Sequence, residues 1–235
     1  PGADPVPLVR GALFFASMLA WGAVRVEPAA GGRLPAGLVL PFVLHAVRAS
    51  GHVVVAAEAA LSLRRLVRKH GGSLTHEWSE VLALLHELHR FFFGAGAASA
   101  AEAQAAVREV LGQVSGPHER ALAGGRERAR LLALLELYAA ELPADAQLRL
   151  LALKAPLIHP AHAQWTFHLR AFVAAFLGPA AAARFPASVR MAALAELRSV
   201  LEACRHVHEE ALLHTLVPLL ETLPADPDAR VALPA

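Results

Sequence analysis

"PLVRGALFFASMLAWGAVRV", Pro7 to Val26, is the stretch whose reading decides the fold. Between Arg10 and Arg25, the fourteen residues Gly11 to Val24 carry no formal charge. Three things look like this: a membrane span, a secretion signal, or the inside of a folded protein. A bilayer-crossing helix needs about 20 predominantly apolar residues, and this run is shorter, with an arginine at each end. A secretion signal needs a basic n-region and a small-residue cleavage site. The stretch therefore reads as a helix from roughly Val6 to Val26, covered on more than one side, because its apolar residues go nearly all round. Asp4 suits its cap, and Pro5 or Pro7 its first turn. The chain begins with Pro1 and is expected to be a piece of a longer protein.

Outward from there the pattern repeats. Alanine and leucine dominate, and both favour helix. A loop at Arg33–Gly37 should lead into a short helix ending near Ala49, with Pro41 marking its true start or a kink. A third helix is predicted over His52–Lys69. A fourth opens at Thr75 and carries Trp78, Val81, Leu82, Leu85, Leu88 and Phe92 at helical spacing before Gly94. Residues 94–126 hold few large apolar side chains, so a weak break is expected there, with one helix over about Ala98–Val114. Helices over Glu127–Glu141, from Pro143 to just before Pro156, and from Pro160 onward follow. In that last one, Trp165, Leu169, Phe172 and Phe176 recur at four, three and four residues, a single face expected to be core. The final pair spans Ala187–His206 and Glu209–Thr222. In the former, Met191, Leu194, Leu197, Leu201 and Cys204 should face inward, with Arg190, Arg198, Glu202 and Arg205 elsewhere.

This reading is an all-α chain of about ten antiparallel helices, a HEAT- or armadillo-like α-solenoid filling residues 1–235 as a single region. "LPADA" at Leu142 returns as "LPADP" at Leu223, 81 residues on, about two repeats of 40–47 residues. At 56% hydrophobic and 18% charged, the chain can bury a large core. A net charge of +2 carries no global signal for nucleic acid. Cys204 is the only cysteine, so there is no internal disulfide and no multi-cysteine zinc site, which fits a reducing compartment.

The opening stretch closely resembles the helical-repeat region of the tuberin family of GTPase-activating proteins, through Pro7, Leu8, Arg10, Gly11, Ala12, Phe14, Phe15, Met18, Trp21, Gly22, Ala23 and Arg25. A second stretch, "LIHPAHAQWTFHLRAFVAAFL", is similar to the same family at Ile158–Ala161, Trp165, Leu169 and Phe176. "LSLRRLVRKH" and "HEEALLHTLVPLLETLPADPDARV" follow it more weakly. The resemblance implies a regulatory scaffold with no catalysis of its own. Such a segment would pair with a hamartin-like subunit in a complex that acts on a Rheb-type small GTPase and restrains target-of-rapamycin signalling. It implies a cytoplasmic protein, with peripheral contact to endomembranes or lysosome and the nucleus left open, and no cofactor; the run length and the charge balance give no transmembrane segment and no nucleic-acid partner. The family's GTPase-activating domain supplies a catalytic asparagine, and this chain contains no asparagine, so that chemistry is absent from this piece. The related Ral-type GTPase-activating subunits share the layout and stay as an alternative, as does an unrelated HEAT-repeat interaction module.

Among chemistry-bearing residues, Arg64, Arg65, Arg68, Lys69 and His70 form a basic cluster. It suits an anionic lipid, nucleic acid or acidic partner, and equally suits cations gathered at a helix C-terminus. Of the thirteen histidines, His86 and His89 are three apart on one face, and His159, His162 and His168 cluster near Pro160. No pair among them comes with an obvious third and fourth ligand, and a metal site needs three or four, so no metal is expected. Trp21, Trp78 and Trp165 read as core. Ser17 and Cys204 lack the neighbouring base that a nucleophile requires.

Overall fold

The computed structural model describes residues 5–21, 35–71, 74, 78–94, 96–97, 99–114, 125–204 and 209–232. Regular structure among them is helical throughout, with no strand. The helices are α1 (Pro5–Trp21), α2 (Pro35–Ser50), α3 (Val53–His70), α4 (Trp78–Phe92), α5 (Ala101–Val114), α6 (Gly125–Leu137), α7 (Ala144–Ile158), α8 (Trp165–Phe176), α9 (Ala181–Arg184), α10 (Ala187–Ala203) and α11 (Glu209–Thr222). None of the described helices is long and apolar enough to cross a membrane. The expected cap Asp4, the residues Gly22–Val26, the opening Thr75 and Arg205–His206 lie outside the described residues.

The chain divides into two compact units, residues 1–138 and 139–235. The segment 94–126 contributes α5 to the first of them.

In the first unit, packing partners lie one or two helices along the chain. Helix α3 packs against α1 and α5, and α4 against α2 and α6, while α1–α2, α2–α3, α3–α4 and α4–α5 also touch. Side-chain ties show the direction within each row. Arg10 reaches Glu58 near the start of α1 and α3, and His70 reaches the Ala20 carbonyl at their ends, so these two helices run the same way. Arg48 with Glu87, then Arg130 with Ser79 and Tyr138 with Leu85, show the same for α2, α4 and α6.

The reversal between α2 and α3 takes two residues. Gly51 adopts φ +58°, a left-handed geometry that costs glycine little. Its N–H donates to the Val47 carbonyl at 3.2 Å and closes α2. His52 then caps α3, its Nδ1 accepting the Val54 N–H at 3.2 Å.

The predicted α4 stripe is the core of this unit. Trp78, Val81, Leu82, Leu85, Leu88 and Phe92 are all buried, joined by Leu84. Tyr138 is fully buried and donates its hydroxyl to the Leu85 carbonyl at 2.6 Å, so its one polar atom is satisfied. Helix α5 packs through small residues, Ala103, Ala106, Val107 and Val110.

In the second unit, α7 packs on α8 and α10, and α8 on α11. Helices α7 and α10 begin alike. A buried residue, Leu142 or Phe185, is followed by proline and alanine, and Pro143 and Pro186 take nearly the same extended N-cap geometry (ψ 157° and 159°). These prolines are 43 residues apart, and Pro224 stands 38 residues further on. At that third position Leu223–Ala225 forms a 3-10 turn rather than an α-helix.

Four expectations need correction. Helix α2 starts at Pro35, so Pro41 lies inside it on an exposed side rather than at its start. Helix α7 runs through Pro156 to Ile158. Proline forfeits the hydrogen bond to the carbonyl four residues earlier, and here that residue is the exposed Ala152, which solvent can serve. Helix α8 begins at Trp165 rather than Pro160, because His159 and His162 hold successive turns before it: the Nδ1 of each accepts the N–H two residues on, from Ala161 at 3.2 Å and Gln164 at 3.3 Å. Trp165 is in consequence only half-buried, while Leu169, Phe172 and Phe176 are core. Finally, α10 buries Val189, Arg190, Ala193, Leu197 and Val200 and leaves Met191 exposed. The face is rotated from the one expected because Arg190 is drawn inward to pair with Asp226.

Candidate functional site

The basic residues of α3 are engaged inside the first unit. Arg68 forks onto Glu109 of α5, Nη2 to Oε2 at 2.7 Å. The hydrogen bond from Arg68 holds the Glu109 carboxyl below its ordinary value, against an opposing push from partial burial. Arg64 reaches Glu102 of α5 at 3.4 Å. Arg65 lies 4.0 Å from Glu58, and its guanidinium sits 6.0 Å from the centre of the Phe14 ring. Glu58 is buried and also takes Arg10 at 3.4 Å, so one carboxylate is held between two guanidiniums. Lys69 and His70 turn the other way and meet the Ala20 carbonyl at 3.4 and 2.8 Å. The Lys69 ammonium at this carbonyl-rich helix end complements its partial negative charge. This cluster therefore closes the C-terminus of α1 and clamps α3 to both row neighbours. Arg68 remains 58% exposed.

The histidines are spread over separate positions. His86 is exposed, while His89 lies edge-on to the Tyr138 ring at 4.8 Å. His162 and His168 stack edge-to-face at 5.1 Å. Among the described residues, no three of His, Cys, Asp and Glu gather closely enough to hold a metal ion. Ser17 is fully buried, and its hydroxyl has no partner among the described residues. Partial burial pushes the Cys204 thiol up, away from the reactive thiolate. Trp78 is core, and the Trp21 side chain lies outside the described set.

What sequence reading missed is on the outer side of α1. Leu8, Phe15 and Leu19 are 76%, 62% and 63% exposed, and Ala12 between them is exposed too. Spacings of four, three and four put these residues on one stripe. The stripe lies opposite Leu13, Ser17 and Ala20, which face the neighbouring helices. Leu38 and Phe42 of α2 are exposed in the same manner. Apolar residues scattered singly on a surface are ordinary, but an aligned set marks an interaction surface. The signal was present in the sequence. It was hidden because α1 is apolar all round, so no polar face showed which side looks outward. No protein-family profile matches the chain.

Proposed function

We propose that this chain is a partner-binding scaffold: a HEAT- or armadillo-like α-solenoid segment of a tuberin-like subunit. Its assembly would be a Rheb-type GTPase-activating complex that restrains target-of-rapamycin signalling from the cytoplasm. The observation that carries the scaffold reading is the uncovered stripe Leu8–Ala12–Phe15–Leu19. Its spacing matches the seam that one helix offers to another. Supporting it are the two rows of parallel helices in the first unit and the recurring proline starts of α7 and α10. The tuberin assignment is supported by the sequence resemblance. Catalysis has no part in this reading, because activation would reside in a domain outside these residues.

The test is co-purification of the chain with a hamartin-like subunit, followed by Phe15→Asp and Leu19→Asp together. Both side chains already face solvent, so the variant keeps its helicity. The expected result is a complex that forms with the parent chain and is lost with the variant. A complex indifferent to the substitutions refutes the stripe as its interface. Absence of any complex with the parent chain removes the tuberin assignment.

A further inference from the structure

We infer that the groove between α8 and α11 takes an acidic, aliphatic peptide segment of a partner protein, a docking surface that belongs to the second unit alone. The groove has a volume of about 640 Å³ and is walled by Arg170, Val173 and Ala174 on one side and Thr215, Pro218 and Leu219 on the other. Among the described residues, no carboxylate lines it. Arg170 is exposed at its edge and has no ion-pair partner among the described residues, unlike the arginines of α3. A lone guanidinium over an apolar floor is complementary to a carboxylate flanked by aliphatic side chains. One turn earlier on the same face of α8, Phe167 is 71% exposed and extends the apolar surface.

Two features favour a peptide over a fatty acid of the same charge. Pro218 lies inside α11 and cannot donate the helical hydrogen bond to the carbonyl of His214, which also lines the groove. Thr215 is buried, with a hydroxyl that has no partner among the described residues. A peptide brings both N–H donors and a carboxylate to such a surface, whereas a fatty acid brings the carboxylate and chain alone. At the far end, Gly178 passes close against the last turn of α8. A Cβ there would come within 2.6 Å of the Ala174 carbonyl oxygen.

The experiment pans random peptides of about 12 residues, displayed on phage, against the whole chain, then measures the best one by fluorescence anisotropy. Enriched sequences should carry Asp or Glu next to Leu, Ile or Val. Affinity should fall about tenfold or more with Arg170→Glu, and similarly with Ala174→Leu, which fills the groove without touching charge. Both positions are exposed, so both variants fold. Val217→Glu, on the outer side of α11, should bind as the parent does. The proposal is overturned if no acidic peptide is enriched, if Arg170→Glu and Ala174→Leu bind undiminished, or if sodium laurate binds the groove where peptides do not. These outcomes are independent of the α1 stripe, since variants of that stripe leave the groove intact.

Discussion

Replacing Asp226 by Ala should destabilise the second unit far more than an average surface change. Arg190 sits on the buried side of α10 with its side chain 5% exposed, and its Nη1 pairs with Asp226 Oδ2, itself 11% exposed. Arg190 Nε already has no hydrogen-bond partner among the described residues. Removing the carboxylate leaves a buried cation without its counter-charge, a loss of about 3–5 kcal/mol. Arg190→Met is gentler. The carboxylate it strands still accepts the Asp228 N–H at 2.9 Å, so the cost is about 1–3 kcal/mol. The double variant should lie close to Arg190→Met alone, because neither charge is then orphaned. Hydrogen exchange of the α10 amides reads these differences within this unit. Asp226→Ala should speed exchange by roughly a hundred- to several-thousand-fold where exchange reports equilibrium opening. An acceleration under about tenfold, or a double variant as damaged as Asp226→Ala, refutes the claim that the pair is buried and interdependent.

The two tryptophans whose side chains are described should separate cleanly in thermal or urea unfolding. Trp78→Ala removes a side chain 1% exposed and should cost about 3–5 kcal/mol, whereas the half-buried Trp165 should cost about 1–2 kcal/mol by the area it loses; equal costs would contradict the placement of α8. In acid, two carboxyls should titrate low by NMR of their side-chain carbons. The Arg230 side chain and N–H hold Asp228 at about 2, and Arg68 lowers Glu109. Both are depressed on folding, so their stabilisation is present above the unfolded-chain values and disappears as pH falls through the folded ones. For Asp228 that window runs from the ordinary value of 3.8 down to about 2. Midpoints at ordinary carboxylate values would show that the arginine contacts do not persist in solution.

Helix positions were legible where punctuation and pattern agreed. Helix α3 lies between glycines and α4 carries one clean stripe; α3 stands within a residue of where it was read, and the α4 stripe is helical and buried from Trp78 to Phe92. Helix α11 occupies the expected Glu209–Thr222. Proline misled three times: Pro41 and Pro156 lie inside helices that the sequence broke at them, and Pro160 precedes the start of α8 by five residues; at Pro156 the forfeited carbonyl belongs to the exposed Ala152, which sequence alone does not show. The inward face of α10 was misread for a different reason. Arg190 is charged, and only the fold reveals that Asp226, 36 residues on, comes back to meet it. The basic cluster was visible as a cluster, but its partners Glu58, Glu102 and Glu109 sit on other turns and another helix. The groove of α8 and α11 was invisible, since its walls come from residues more than 40 positions apart.

The neighbour-to-neighbour packing of the first unit has a kinetic consequence. Each helix there meets its partners one or two helices along the chain, so the contacts close short loops. Rates of folding rise as the sequence separation of native contacts falls. The α2–α3 hairpin, reversed by Gly51 and His52, needs only its own residues to form, and can serve as the nucleus on which α1 and α4 dock. Growth can then proceed in either direction without waiting for a distant strand of chain to arrive. A chain emerging from a ribosome could begin building this unit before its last helix had been made.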